Sequence, residues 1–178
     1  MSTTPQRSFR TRVFIATSLD GFIARPDGNL DWLTERGEKA GDTGYDAFIA
    51  DIDTIVMGRN TYEKTQTFGF WPYEGLNVSV LSTRLDSDDP NITVERDLAA
   101  LVHHLNASGA ANVYVDGGQL VQSFLREGLL DEITITTAPV LLGSGISLFG
   151  ALDHDIELEH RTTTTLAEGF VQSTYAIN

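Results

Sequence analysis

The stretch "VYVDGGQLVQSFLREGLLDEITITTAPVLLGSG", residues 113–145, decides the fold. Val113, Tyr114 and Val115 make a short apolar, β-rich run, the mark of a buried strand. Gly117-Gly118 ends it, and Leu120, Val121, Phe124 and Leu125 then recur at helical spacing until Gly128. A second β-rich run occupies residues 132–142. Strand, glycine turn, helix and strand form a crossover unit, the element from which parallel sheets are built. One glycine suffices for such a turn. Two in succession imply that something approaches the backbone closely where the helix begins.

The same alternation runs outward in both directions. "RVFIATSL" (12–19), "TIVMG" (54–58) and "NVSVLST" (77–83) read as strands. "GYDAFIADI" (44–52) puts Tyr45, Phe48, Ile49 and Ile52 on one helical face, and a helix opens at Gly58-Arg59-Asn60-Thr61. "DLAALVHHLNASG" (97–109) begins with an Asp N-cap and stops near Gly109. Residues 156–169 and 170–178 read as an antiparallel hairpin around Ala167-Glu168-Gly169. Helices alternate with strands early and strands dominate late. The expected architecture is α/β, with a mixed, mostly parallel sheet, a C-terminal antiparallel hairpin and flanking helices.

The chain of 178 residues, 41% hydrophobic and 21% charged, is expected to form one globular domain over residues 11–178 after a flexible segment at 1–10. It contains no cysteine, which excludes disulfides, thiolate nucleophiles and Cys-ligated zinc or iron–sulfur centres. A net charge of −13 argues against nucleic acid and anionic membranes as partners. Lys39 and Lys64 are the only lysines, and an acidic, lysine-poor surface suits either a high-salt environment or an ordinary acidic bacterial enzyme. The polar start of the chain and the lack of a long apolar run favour a cytoplasmic location.

Three strands end in small or polar turns: Gly58-Arg59-Asn60-Thr61, Ser82-Thr83-Arg84 and Gly117-Gly118-Gln119-Leu120. Parallel strands end on one edge, where open α/β sheets bind ligands. Helix N-termini there offer unpaired N–H groups, and Arg59 and Arg84 offer charge-assisted bonds. The ligand so described is a nucleotide with several phosphates.

At this point the chain resembles a known family. "VMGRNTYE" (56–63) is similar to the strand–turn–helix segment of dihydrofolate reductases. "ATSLDGFIARPDGNLDWL" (16–33) and "DGGQLVQSFLREGLLDEITITTAPVLLGSGISLF" (116–149) resemble the C-terminal reductase domain of the riboflavin-pathway bifunctional deaminase-reductase. The likeness spans about residues 10–177. It implies a three-layer dihydrofolate-reductase-like fold that binds NADPH. The nicotinamide would lie near Ala16 and the 18–24 loop, with Gly21 and Ile23. The pyrophosphate would lie between Gly58, Arg59 and Thr61 on one side and Gly117, Gly118, Gln119 and Leu120 on the other. The 2′-phosphate would lie near Arg59, Ser82, Thr83 and Arg84. A homodimer is expected from the same likeness. The zinc deaminase half is absent, since its motif needs cysteine.

Candidate chemistry follows. Asp31 falls near the position of the substrate-binding acid of dihydrofolate reductases, and reads also as a helix N-cap. Asp20 is expected to fix its own turn. Trp32 and Trp71, with Phe70 and Tyr73, are candidates for stacking on a flat substrate, or for core and interface packing. The four histidines do not form a metal set, and no metal is expected. Asp131-Glu132 reads as a strand-entry feature. The function expected is an NADPH-dependent reductase of a small heterocycle, either pterin/folate-like or a pyrimidine-type riboflavin precursor. The alternative is a non-catalytic nucleotide-binding or interaction protein on the same fold.

Overall fold

The computed structural model describes residues 6–178; residues 1–5, half of the expected flexible segment, lie outside the described residues. In chain order the elements are β1 (Arg10–Ser18), β2 (Phe22–Ala24), α1 (Asp31–Gly37), α2 (Tyr45–Ala50), β3 (Thr54–Gly58) and α3 (Arg59–Gln66). Then come β4 (Asn77–Leu81), β5 (Thr93–Glu95), α4 (Leu98–Ala107), β6 (Asn112–Asp116) and α5 (Gly118–Arg126). The chain closes with β7 (Glu132–Ala138), β8 (Ile146–Ser147), β9 (Leu158–Thr165) and β10 (Val171–Ile177).

Eight strands form one sheet in the order β5-β4-β3-β6-β1-β7-β10-β9, and β2 pairs with β8 separately. The ladders from β5 to β7 are parallel, and those of β10 with β7 and β9 are antiparallel. The expected mixed sheet with a terminal hairpin is therefore present. Alternation along the central strands splits the core in two. Val13, Val56, Val113, Val115 and Ile133 face α4 and α5, where Leu101, Leu105, Val121 and Phe124 are buried. Ile55, Met57, Val78, Val80 and Tyr114 face Phe48 of α2 and Tyr62 of α3. This gives three layers, helix on sheet on helix.

Element ends differ from the sequence reading for local reasons. β7 stops at Ala138 because Pro139 cannot donate to the ladder. β4 stops at Leu81, where the Ser82 hydroxyl accepts the Arg84 and Leu85 N–H groups and turns the chain. The start of the domain also moves. Residues 7–10, read as part of a flexible segment, are held: Phe9 is buried, and Arg7 donates two bonds to the Asp131 carboxylate at 2.7 and 2.6 Å.

That carboxylate does more than mark a strand entry. It also accepts the Thr11 backbone N–H at 2.7 Å, so it joins the leading segment, β1 and β7. Bonds to charged groups contribute roughly 1.5–3 kcal/mol each when intact. Asp131→Ala is expected to lower unfolding free energy by about 2–4 kcal/mol, given coupling among three bonds to one group. Chemical denaturation reads this directly, and an unchanged midpoint would show the clamp to be dispensable.

Candidate functional site

The carboxyl edge of the sheet brings two helix starts together. β3 and β6 are neighbours, with Met57 opposite Asp116, so α3 and α5 begin side by side. Gly117 is the N-cap of α5 and has φ of +106°, a conformation that side chains rarely adopt. A Cβ there would stand 3.0 Å from the Thr61 hydroxyl, so the two turns touch. The first intrahelical bond of α5 runs from the Val121 N–H to the Gly117 carbonyl. The N–H groups of Gly118, Gln119 and Leu120 precede it and are left for another acceptor.

The electrostatics of these two helix starts are distinctive. α1 and α2 carry Asp31 and Asp46 in their first turns, and Asp97 caps α4 through the Ala100 N–H at 2.8 Å. α3 and α5 have neither an acidic first turn nor a side-chain cap. Arg59 even places a cation at the positive end of α3, held only by a loose 3.7 Å pair with Glu63. In a chain of net charge −13, these two adjacent helices carry no acidic residue at the cap or in the first turn, although Asp116 stands just ahead of the α5 cap. The donor set fits a pyrophosphate.

A third turn, 82–84, lies at the end of β4, the neighbour of β3. Thr83 and Arg84 are exposed, and Ser82 is half-buried. Arg96, unremarked in the sequence, donates to the Ser82 and Leu85 carbonyls at 3.1 and 2.6 Å and braces this turn. Arg59, Arg84 and Arg96 are the cations on these turns and their brace.

Gly118 has a reason within the fold itself. Its φ is not positive, and a Cβ would meet the Ser147 carbonyl oxygen at 2.9 Å and Ile23 Cδ1 at 3.0 Å. The close visitor at this glycine is the β2–β8 pair of the protein itself. Ile23 and the glycine turn are thereby in contact.

Beside this edge is an apolar cavity of about 210 Å³, lined by Phe14 and Ala16 of β1, Leu33, Tyr45, Thr136 and Phe170 among others. Its polar atoms are few. The Thr136 hydroxyl accepts from Gln172 Nε2 at 2.8 Å and keeps its own proton to donate. Burial, and then the charges of Asp116 and Asp46, raise the Tyr45 phenol above its ordinary value.

Asp116 is the residue the sequence reading missed. It ends β6 directly before Gly117. Tyr114, two residues back, pairs in register with Arg12, which sets Asp116 level with Phe14. Burial pushes its carboxyl up to about 6, opposed only by a bond from the Gly117 N–H. Its field also acts on Tyr73, pushed up to about 12 chiefly by burial. One signal was available: a carboxylate closing an otherwise apolar strand.

The other candidates are placed elsewhere. Asp31 is neither N-cap nor free acid: Leu30 occupies the cap, and Arg25 grips the Asp31 carboxylate at 2.6 and 3.1 Å. That bond holds the exposed carboxyl below its ordinary value, which suits no proton donor at neutral pH. Trp32 is 3% exposed, packed with Ala40, Ala138 and Phe170, so it cannot stack on a ligand. It forms the wall behind the cavity instead. Trp71 meets Tyr73 edge to face at 5.4 Å in a groove of about 540 Å³ that includes Thr54, Asn77 and Thr93, the opposite ends of β3, β4 and β5. Phe70 is exposed. Among the described residues no cluster of three or more acidic or histidine side chains could hold a metal, and no helix is long and apolar enough to cross a membrane.

Comparison with known proteins places the fold and the family. The family model of the RibD C-terminal domain matches residues 11–172. The uncharacterized protein YwjB of Bacillus subtilis is 38% identical over 158 residues, covering 86% of this chain and 90% of YwjB. A crystal structure from Shewanella sp. PV-4, carrying a provisional riboflavin-biosynthesis name, is 37% identical with a TM-score of 0.87, covering 96% of this chain and 99% of that one. Dihydrofolate reductase from Enterococcus faecalis, in complex with NADP(H), superposes with a TM-score of 0.71 at 17% identity, over 97% of this chain and 98% of its own. The fold is dihydrofolate-reductase-like.

The Gly118 geometry gives an expectation that needs no ligand. Gly118→Ala should push Ser147 and Ile23 away and cost roughly 1–3 kcal/mol of stability, as overpacked sites do. Thermal denaturation of the ligand-free protein checks it. Wild-type stability would mean that β8 shifts freely.

Proposed function

Given that the chain belongs to the RibD C-terminal domain family, we propose that it is an NADPH-dependent reductase of a small, flat heterocycle. When bound, the nicotinamide supplies the hydride. The chain's own residues supply the rest. The N-termini of α3 and α5 hold the pyrophosphate, and Arg59, Arg84, Ser82 and Thr83 receive the 2′-phosphate, with Arg96 fixing the turn. Ala16, Gly21 and Ile23 bound the nicotinamide end. The substrate ring lies against Phe14, Leu33 and Phe170, and the Tyr45 and Thr136 hydroxyls direct its polar edge.

Asp116 carries this reading. A half-buried carboxyl raised to about 6, level with Phe14 of the cavity wall and directly before the glycine turn, is suited to deliver a proton beside the acceptor of the hydride. It takes the place that the sequence assigned to Asp31. The substrate is a pterin/folate-like ring or a pyrimidine-type precursor.

The sign of the pH dependence follows from the raised value. Burial lifts Asp116 from 3.8 to about 6. Its protonated form is therefore favoured by the fold, and stability is lost as pH rises through about 6. The gap corresponds to roughly 3 kcal/mol at most. Asp116→Asn should raise stability above pH 6 and lower kcat/KM by about 10²–10⁴-fold with NADPH affinity little changed. The wild-type kcat/KM should fall as pH rises through about 6, and this limb should vanish in the variant. NADPH oxidation with a panel of dihydropterins, pyrimidine precursors and carbonyl compounds makes the measurement. Undiminished turnover in Asp116→Asn would remove the proton role. Tight NADPH binding with no turnover of any panel member would favour the non-catalytic reading.

Cofactor choice gives a separate test. One charge-assisted bond to the 2′-phosphate contributes roughly 1.5–3 kcal/mol, or about tenfold or more in affinity. NADPH should bind at least about tenfold more tightly than NADH, and Arg84→Ala or Arg59→Ala should erode that preference while sparing NADH. Equal affinities in the wild type would overturn the assignment of the 2′-phosphate.

A further inference from the structure

Two distant segments, 18–24 and 139–150, close over the start of α5 as one unit. Leu19 donates its N–H to the Val140 carbonyl at 2.8 Å, and Leu148 donates to the Gly21 carbonyl at 3.0 Å. β2 pairs with β8, Phe22 opposite Ser147 and Ala24 opposite Ile146. The Ala24 carbonyl oxygen lies so near Gly145 that no Cβ fits there. From α5, the Gln122 amide donates to the Ser147 and Leu148 carbonyls, both at 3.3 Å. The inner surface of the unit, Ile23 and Ser147, rests on Gly118.

Asp20 sits at the joint of the two segments. One carboxylate oxygen accepts the Ser18 hydroxyl at 2.6 Å and the Leu142 N–H at 3.1 Å; the other accepts the Gly143 N–H at 2.8 Å. Ser18 Oγ in turn accepts the Phe22 N–H at 3.0 Å, which starts β2. The group is exposed, yet these bonds, that from Ser18 foremost, hold it below its ordinary value against desolvation. A turn needs only the local bond. Reaching 122 residues along the chain to two adjacent N–H groups does something more.

We infer that Asp20 is a positioning residue for the cofactor site: its carboxylate locks the 18–24 loop to the 139–145 loop and so fixes where Ile23 and β8 stand over the α5 N-terminus. The inference rests on the NADPH reading above. The chemistry asks for a group with two acceptor oxygens and no donor, because three donors converge on it. Asparagine keeps one oxygen and turns an NH₂ toward a donor. Alanine keeps nothing.

The test measures NADPH binding by fluorescence titration and hydrogen exchange of the amides at 21–24 and 142–148. Asp20→Ala should weaken NADPH binding roughly tenfold or more, the loss of at least one charge-assisted bond's worth of order. The same loop amides should exchange faster, while those of β3 and β6 keep their protection. Asp20→Asn should recover part of both, a graded rescue that mere packing would not give. Should Asp20→Ala fail to fold, Asp20→Asn and Ser18→Ala, which removes one donor to the carboxylate, should each show the loss in milder form. A folded Asp20→Ala with loosened loops and wild-type NADPH affinity would overturn the inference alone. A wild type that binds no NADPH would overturn the cofactor reading and this inference with it.

Discussion

A single backbone constraint organises this molecule: the exit of β6 into α5 through Gly117, in a conformation closed to side chains. β6 lies near the middle of the sheet, between β3 and β1. Whatever its exit does must be accommodated by α3 on one side and by the β2–β8 pair on the other. The turn bends sharply enough to touch Thr61, and α5 then starts so close to Ser147 and Ile23 that its first residue must also be glycine. The glycine pair thus serves two separate contacts, one on each side. The cavity, the helix starts and the closing loops take their places from it.

Charge is arranged around that turn in opposition to the molecule as a whole. The acidic surface would repel a phosphorylated cofactor, and helix starts elsewhere are neutralised by aspartates of the chain itself. At α3 and α5 this neutralisation is withheld, and at α3 Arg59 stands where a carboxylate would be favourable. The isolated protein gives up some stability at these two positions. Asp116 is the exception on this edge. Because burial raises its value, it carries a full negative charge for less of the pH range than a surface aspartate does.

Much of the fold was legible because its signals are local. The periodicity of 118–128, the apolar strands at 54–58 and 112–116, and the Asp97 cap each depend on a few neighbouring residues. β2, β5 and β8 were not legible, since two or three residues carry no period. Three glycine or polar turns were read at strand ends, and the structure gathers those turns on one edge. The substrate side required tertiary information. Trp32 has the composition of a stacking residue, but α1 turns it into the core. Asp31 has the position of an acid, but Arg25, six residues earlier, engages it. Arg96 and Asp116 were hidden among ordinary charged residues until the fold showed what lies beside each. Gly118 was read for its closeness, and the fold adds a neighbour the sequence could not show, the β2–β8 pair.

The outermost strand has a bearing on how the fold comes apart. Every residue of β9 is exposed, and its attachment is the ladder with β10. It contributes little apolar burial, so its opening breaks those backbone bonds, the Thr163–Ser173 hydroxyl bond and the His160–Tyr175 edge contact. β10 is half-covered and secured on its other side by β7. Unravelling can therefore begin at the sheet's last strand and halt at β10 without disturbing Gly117 or the helices on either face. The hairpin acts as a sacrificial margin: the part of the sheet furthest from the glycine turn is the part the protein can lose first.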